Sequence, residues 1–86
     1  MPAVIIPALL RPLAGGASRV EAEGTTLREV LNDLERQHPG ILERVLDGGR
    51  VRDELFIAVG GEEVKSLNVA VPPGAEVHLL PAVAGG

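Results

Sequence analysis

The first apolar run, Ala3 to Leu10, is continuous rather than alternating, as expected of a buried strand. Pro7 sits inside it and lacks an N–H, so a bulge or a missing ladder bond is expected there. Pro12 and Ala14-Gly15-Gly16 mark a turn. Ser18 to Ala22 then alternates around Val20, which predicts an N-terminal hairpin. Gly24-Thr25-Thr26 ends that strand. Thr26-Leu27-Arg28-Glu29 fits a capping box, with Thr26 as N-cap and Glu29 at the third helical position. Leu27, Val30, Leu31 and Leu34 follow at helical spacing, and Arg28, Glu29, Asn32, Asp33 and Arg36 fill the opposite face. Arg36 and His38 lie late, where cations complement the helix dipole, and Pro39-Gly40 ends the helix.

The second half is more broken. Ile41, Leu42, Val45 and Leu46 predict one short helical turn over the core edge, and Asp47-Gly48-Gly49-Arg50 a mobile loop. Glu54 to Val59 reads as a strand built on Leu55, Phe56, Ile57 and Val59. Gly60-Gly61 reads as a turn into a short return strand, Glu62-Glu63-Val64. Leu67 to Val71 crosses over irregularly. Pro72-Pro73-Gly74 makes a turn, and Glu76 to Pro81 is the last strand. One helix covers one face of a sheet, which defines an α+β domain of two layers. This order of elements predicts a β-grasp (ubiquitin-like) arrangement, a mixed four- to five-stranded sheet packed on one main helix. A crossover from the second strand through the helix to a parallel neighbour would be right-handed. The domain is expected over residues 1–80, with a flexible tail over 81–86.

At 86 residues the chain holds one modest core. Its 45% apolar content is too high for disorder. Phe56 is the one aromatic residue and the net charge is −4. Stacking on nucleobases and binding to a phosphate backbone are both disfavoured, and the charge favours a monomer over self-association. With no cysteine, a disulfide framework, a thiolate metal site and a cysteine nucleophile are excluded. No basic region precedes the first apolar run, which is also too short to span a bilayer. A cytoplasmic protein is expected, without direct contact to nucleic acid or membrane.

The chemistry is expected at the end of the chain, Pro81-Ala82-Val83-Ala84-Gly85-Gly86. Glycine passes through narrow channels and adopts backbone angles closed to other residues. Six extended residues reach roughly 20 Å, enough to enter another protein's active site. An α-carboxyl group has a pKa of about 3.3–3.7 and is ionised at neutral pH. As a carboxylate it is a poor electrophile and needs activation, most simply as an acyl-adenylate. The unhindered Gly86 suits the attack that follows. At this glycine content a terminal pair arises by chance in roughly one chain in sixty, so the pair needs support from the rest of the chain.

That support comes from a resemblance spanning the whole chain. Val77 to Gly86 resembles the C-terminus of the ThiS/MoaD-like ubiquitin-fold sulfur carriers. Val4-Ile5-Ile6-Pro7-Ala8-Leu9-Leu10-Arg11-Pro12 is similar to the first strand of the branch that serves cysteine synthesis from O-phosphoserine. Thr26-Leu27 and Val59 to Val64 fall where the family places its helix and second hairpin. The resemblance implies that an E1-like adenylyltransferase/sulfurtransferase activates Gly86 with ATP and magnesium. Persulfide or sulfide sulfur then converts the adenylate to a thiocarboxylate, which donates that sulfur. In the cysteine branch a pyridoxal phosphate-dependent cysteine synthase is the acceptor, and a metallopeptidase releases the product. Molybdopterin, thiamin and tRNA thiolation are alternative destinations. The cofactors belong to the partners. The chain itself is expected to be a carrier with no catalytic residue and no bound cofactor or metal, and with Gly85 and Ala84 as the adjoining tail.

Elsewhere the residues read more plainly. His38 and His78 have no metal-ligand partner at short spacing, and Asp53-Glu54 and Glu62-Glu63 read as solvated carboxylates. If Val77 and Leu79 face the helix, Leu80 points outward beside the tail. With Ile5 and Pro7 it would form a docking patch for the activating enzyme. Two other functions fit the same features: a ubiquitin-like modifier joined through Gly86 to lysines, and a β-grasp interaction module whose tail is incidental. Lys65 is the only lysine of the chain, which leaves little scope for self-chaining.

Overall fold

The structure is a computed structural model that describes residues 1–82. Ala3–Ile5 (β1) and Arg19–Glu21 (β2) form the expected N-terminal hairpin, antiparallel, with Val4 opposite Val20. The strand predicted over Ala3 to Leu10 is shorter than expected. Ile6 N–H still donates to Ser18 O at 2.9 Å. Pro7 then has no N–H to give, and a 3-10 helix takes over at Ala8–Ala14. Arg11 Nε closes the bend on Ile6 O at 3.0 Å. Leu10 and Ala14 are buried while Leu9 is 87% exposed. The unbroken apolar run therefore combines a two-sided strand with a one-sided helical turn.

Leu27–Gln37 (α1) is the helix the capping signal predicts. Glu29 N–H donates to Thr26 Oγ1 at 3.2 Å. The reciprocal half of the box sits one residue further out. The Glu29 carboxylate accepts from the backbone N–H and hydroxyl of Thr25, at 2.8 and 3.0 Å. The first-turn N–H groups of Leu27 and Arg28 would otherwise lack partners. They donate to Val69 O and Leu67 O, at 3.0 and 2.9 Å. The crossover from Leu67 to Val71 is thus a backbone clamp on the helix start, and it includes a bridge between Thr26 and Ala70. At the other end, Glu35 accepts from Gly40 N–H and Leu42 N–H, both at 2.9 Å.

A second 3-10 turn, Leu42–Arg44, follows, with Ile41 and Val45 buried on either side of it. The loop expected at Asp47 to Arg50 is instead a small hairpin, and Leu46 belongs to it rather than to the helical turn. Leu46–Asp47 (β3) and Arg50–Val51 (β4) pair antiparallel. Its two-residue turn needs positive φ at both positions, and Gly48 and Gly49 supply φ 62° and 81°. Leu55–Val59 (β5) and Glu62–Val64 (β6) repeat the device around Gly60-Gly61. Ala75 N–H donates to Pro72 O at 3.0 Å across the Pro-Pro-Gly turn, and Glu76–Pro81 (β7) completes the sheet.

The sheet order is β2-β1-β7-β5-β6. β1 and β7 run parallel, and the other pairings are antiparallel. This is the expected β-grasp fold, with five strands in the main sheet. The chain leaving β2 through α1 reaches β5, which β1 and β7 separate from β2. No parallel neighbour of β2 is formed by that crossover. Val4, Val20, Ile57, Val77 and Leu79 of the sheet share one core with Leu27, Val30, Leu31 and Leu34 of α1.

Candidate functional site

The last strand carries the candidate site, and its neighbours fix its direction. On one side β7 pairs with β1 from Glu76 to His78. On the other it pairs with the whole of β5, Val77 opposite Val59 through Pro81 opposite Leu55. Val77 and Leu79 are fully or almost fully buried. A strand paired on both edges and packed on the core is a rigid support for whatever follows it. The ladder runs past the expected domain boundary. Pro81 is the last residue of β7, and Ala82 N–H donates to Glu54 O at 2.8 Å. That bond points toward β5, so by alternation the N position of Pro81 points toward the β1 side. There the pairing has already ended at His78, and the missing donor of Pro81 leaves no ladder bond unmade. Of the expected tail, Val83, Ala84, Gly85 and Gly86 lie outside the described residues.

Beside this exit the outer face of the sheet is partly apolar. Residues paired directly across strands share a face. Ile5, His78 and Ala58 form one such row, and Leu80 and Phe56 the next. Leu80 and Phe56 are 41% and 42% exposed, and Ile5 is half-buried. Leu80 thus points outward as the alternation predicts, with Ile5 on the same face. Pro7 is half-buried beyond the end of β1, where it starts the 3-10 helix. Sequence reasoning passed over Phe56 and Ala58. The signal was present in β5, because an inward Ile57 forces both of its neighbours outward. At the rim, Arg19 Nη1 meets Glu76 Oε2 at 2.8 Å, and His78 Nε2 lies 3.7 Å from Glu76 Oε1.

The titratable groups with shifted pKa values lie away from this face. Glu29 is held below its ordinary carboxyl value chiefly by the Thr25 backbone N–H, then by the Thr25 hydroxyl. Asp33 is lowered first by the Glu23 backbone N–H and then by Arg36, with bonds of 2.9 and 2.8 Å. Both fasten the helix rather than poise a proton for transfer. His38 is the C-cap of α1, and its N–H donates to Leu34 O. Among the described residues there is no cluster of three metal-ligating side chains. No helix of the described residues is long and apolar enough to cross a membrane.

A five-stranded mixed sheet gripping one helix, with its central strand leading out beside a partly apolar face, defines a ubiquitin-like β-grasp protein. The chain belongs to the ThiS family, whose sequence model matches residues 4–86. It is 43% identical to the sulfur carrier protein CysO of Mycobacterium tuberculosis over an 89-residue alignment covering 96% of each chain. A chain in the crystal structure of the Amycolatopsis orientalis BexX/CysO complex matches it with a TM-score of 0.93. Identity there is 36%, and 100% of both chains is covered. Small archaeal modifier protein 3 of Haloferax volcanii is 31% identical over 67 residues, which cover 74% of this chain and 73% of that one.

Proposed function

We propose that this protein is a sulfur carrier whose reactive group is the carboxyl of Gly86. The observation that carries the reading is membership of the ThiS family over residues 4–86, a span that includes Gly85 and Gly86. The chemistry needs a partner. An E1-like adenylyltransferase binds the tail, and the Gly86 carboxylate attacks the α-phosphorus of ATP, with magnesium on the partner. Pyrophosphate leaves, and the acyl carbon becomes an electrophile. Hydrosulfide then attacks that carbon, AMP leaves, and a thiocarboxylate results. The carrier supplies an unhindered acyl terminus and a rigid base for it, and catalysis belongs to its partners.

The destination we propose is cysteine synthesis, supported by the 43% identity to CysO. A pyridoxal phosphate-dependent cysteine synthase would present an electrophilic acceptor to the thiocarboxylate sulfur. A metallopeptidase would then release the amide-linked product. Leu80, Ile5 and Phe56 fit an enzyme-docking face, because each side chain lies on the outer sheet beside the exit of β7. A second reading, attachment of Gly86 to lysines of other proteins, is favoured by the similarity to small archaeal modifier protein 3. Both readings begin with the same adenylate.

The test is intact mass spectrometry after incubation with an E1-like partner, ATP, magnesium and sulfide. Exchange of one oxygen for sulfur, mapped to Gly86 and dependent on ATP, is the expected result. An unchanged mass, with the partner active on another carrier, would overturn the proposal. Lysine-linked adducts appearing in place of the thiocarboxylate would move the protein to the modifier reading.

A further inference from the structure

On the side of β5 opposite β7, the sheet opens into a charged cleft. The pairing of β5 with β6 stops at Ile57–Val64, while β5 begins at Leu55. Leu55 and Phe56 therefore have no β6 residue beside them, and β4 forms the facing wall. The resulting cleft has a volume of about 430 Å³ and is lined by Arg28, Arg50, Arg52 and Lys65, with Asp53 and Glu63 as its acidic residues. It gathers half of the chain's eight cations and carries a formal surplus of +2. The rest of the chain, with four cations and ten carboxylates, carries −6.

The three arginines are not neutralised locally. Among the described residues, no carboxylate oxygen lies within 4.0 Å of Arg28, Arg50 or Arg52. Arg28 Nη2 reaches only the Asn68 amide oxygen at 3.5 Å, and Arg52 Nε donates to Glu43 O at 2.9 Å. Lys65 Nζ stands 3.7 Å from Glu63, with its side chain 90% exposed. A guanidinium offers five donors in a planar fork that matches a carboxylate.

We propose that this cleft docks an acidic, partly apolar segment of a partner protein. The segment lies extended beside Leu55 and Phe56, with its carboxylates toward Arg28, Arg50, Arg52 and Lys65. A nucleic acid fits less well. A dense phosphate backbone would meet Asp53 and Glu63 within the cleft and the net −6 around it. Phe56 belongs to both the cleft and the outer sheet face, so a partner seated on that face reaches the cleft without leaving the surface. The inference does not depend on the chemistry at Gly86.

The test uses the full ¹⁵N-labelled chain, titrated by NMR with a ten-residue peptide alternating aspartate and leucine. The controls are the same peptide with asparagine for aspartate, a ten-nucleotide single-stranded DNA, and inorganic phosphate. Expected are shifts centred on Arg28, Arg50, Arg52 and Lys65, saturable with the aspartate peptide and lost at about 0.5 M salt. The exposed pair Arg50→Glu with Lys65→Glu should weaken binding by about tenfold or more, with the rest of the spectrum unchanged. Equal binding of the asparagine peptide, tighter binding of DNA or phosphate, shifts confined to Ile5, His78 and Leu80, or no shifts would each overturn the proposal.

Discussion

Single residues settle several local questions, and Gly24 is the sharpest. Its φ is 152°, and a Cβ there would lie 2.7 Å from both Glu29 Cβ and Val30 N. The chain between β2 and α1 thus passes against the first turn of the helix, and the contact is with backbone that cannot swing aside. Gly24→Ala should destabilise the fold by about 1–3 kcal/mol, the range for strained backbone, read as a lowered urea midpoint with an unchanged m-value. A midpoint equal to that of the parent would mean that the close approach relaxes freely. Phe56 and Leu80 are the corresponding residues on the proposed docking face. Both are more than two-fifths exposed, so Phe56→Thr with Leu80→Thr, which keeps strand formers in this cross-strand pair and adds no like charges, should change the melting temperature only slightly. In a thiocarboxylate assay the same variant should raise the carrier's KM for the activating enzyme by about tenfold or more, as expected for anchors of an interface. An unchanged KM would remove these residues from the docking face.

At the scale of elements, α1 is fastened at its start by carboxylates, and this sets its response to acid. The folded pKa values of Glu29 and Asp33 lie below their ordinary values of 4.5 and 3.8. The unfolded chain therefore binds protons at a higher pH than the folded one. The stability these groups contribute is fully present above about pH 4.5, and it is lost as the pH falls through their folded values. Thermal melts between neutral pH and pH 2 should show a falling midpoint below about pH 4.5. Glu29→Gln should be less stable than the parent at neutral pH and should lose less on acidification. Parallel pH profiles for the two proteins would show that the Thr25–Glu29 contact does not contribute. The 3-10 helix Ala8–Ala14 is the other informative element. Its Leu10 and Ala14 face the core, so the segment that replaces the end of the first strand still anchors the β1–β2 connection.

For the whole molecule, β7 is the rigid strand, and the proposed chemistry lies on the chain beyond it. Truncation before Gly85 removes the proposed reactive group and none of the described residues. The truncated protein should keep its melting temperature and accept no sulfur. Loss of folding on truncation would instead give those residues a structural part. The helix, with Thr26 at its start and Leu27, Val30, Leu31 and Leu34 on one face, was legible because cap and periodicity are local properties. The two hairpins around Val20 and Gly60-Gly61 were legible for the same reason, and so was the outward side of Leu80. The end of the chain pointed to the proposed chemistry through the types of its residues alone. Other features depended on partners distant in sequence. Pro7 ended β1 because the following apolar residues found a core contact as a 3-10 turn. Gly48-Gly49 became a hairpin because β3 and β4 had each other to pair with. Leu67 to Val71 became a clamp because the helix start presented unpaired N–H groups. Phe56 was placed beside Leu80, and Arg28 beside Arg50, Arg52 and Lys65, by strand order and register. The sequence by itself determined the main helix and the hairpins around Val20 and Gly60-Gly61, since these follow from neighbours a few residues apart, and the residue types at its end carry the proposed chemistry. Only the tertiary structure decided which side chains share a face or a cleft, because that depends on pairing between strands far apart in the chain.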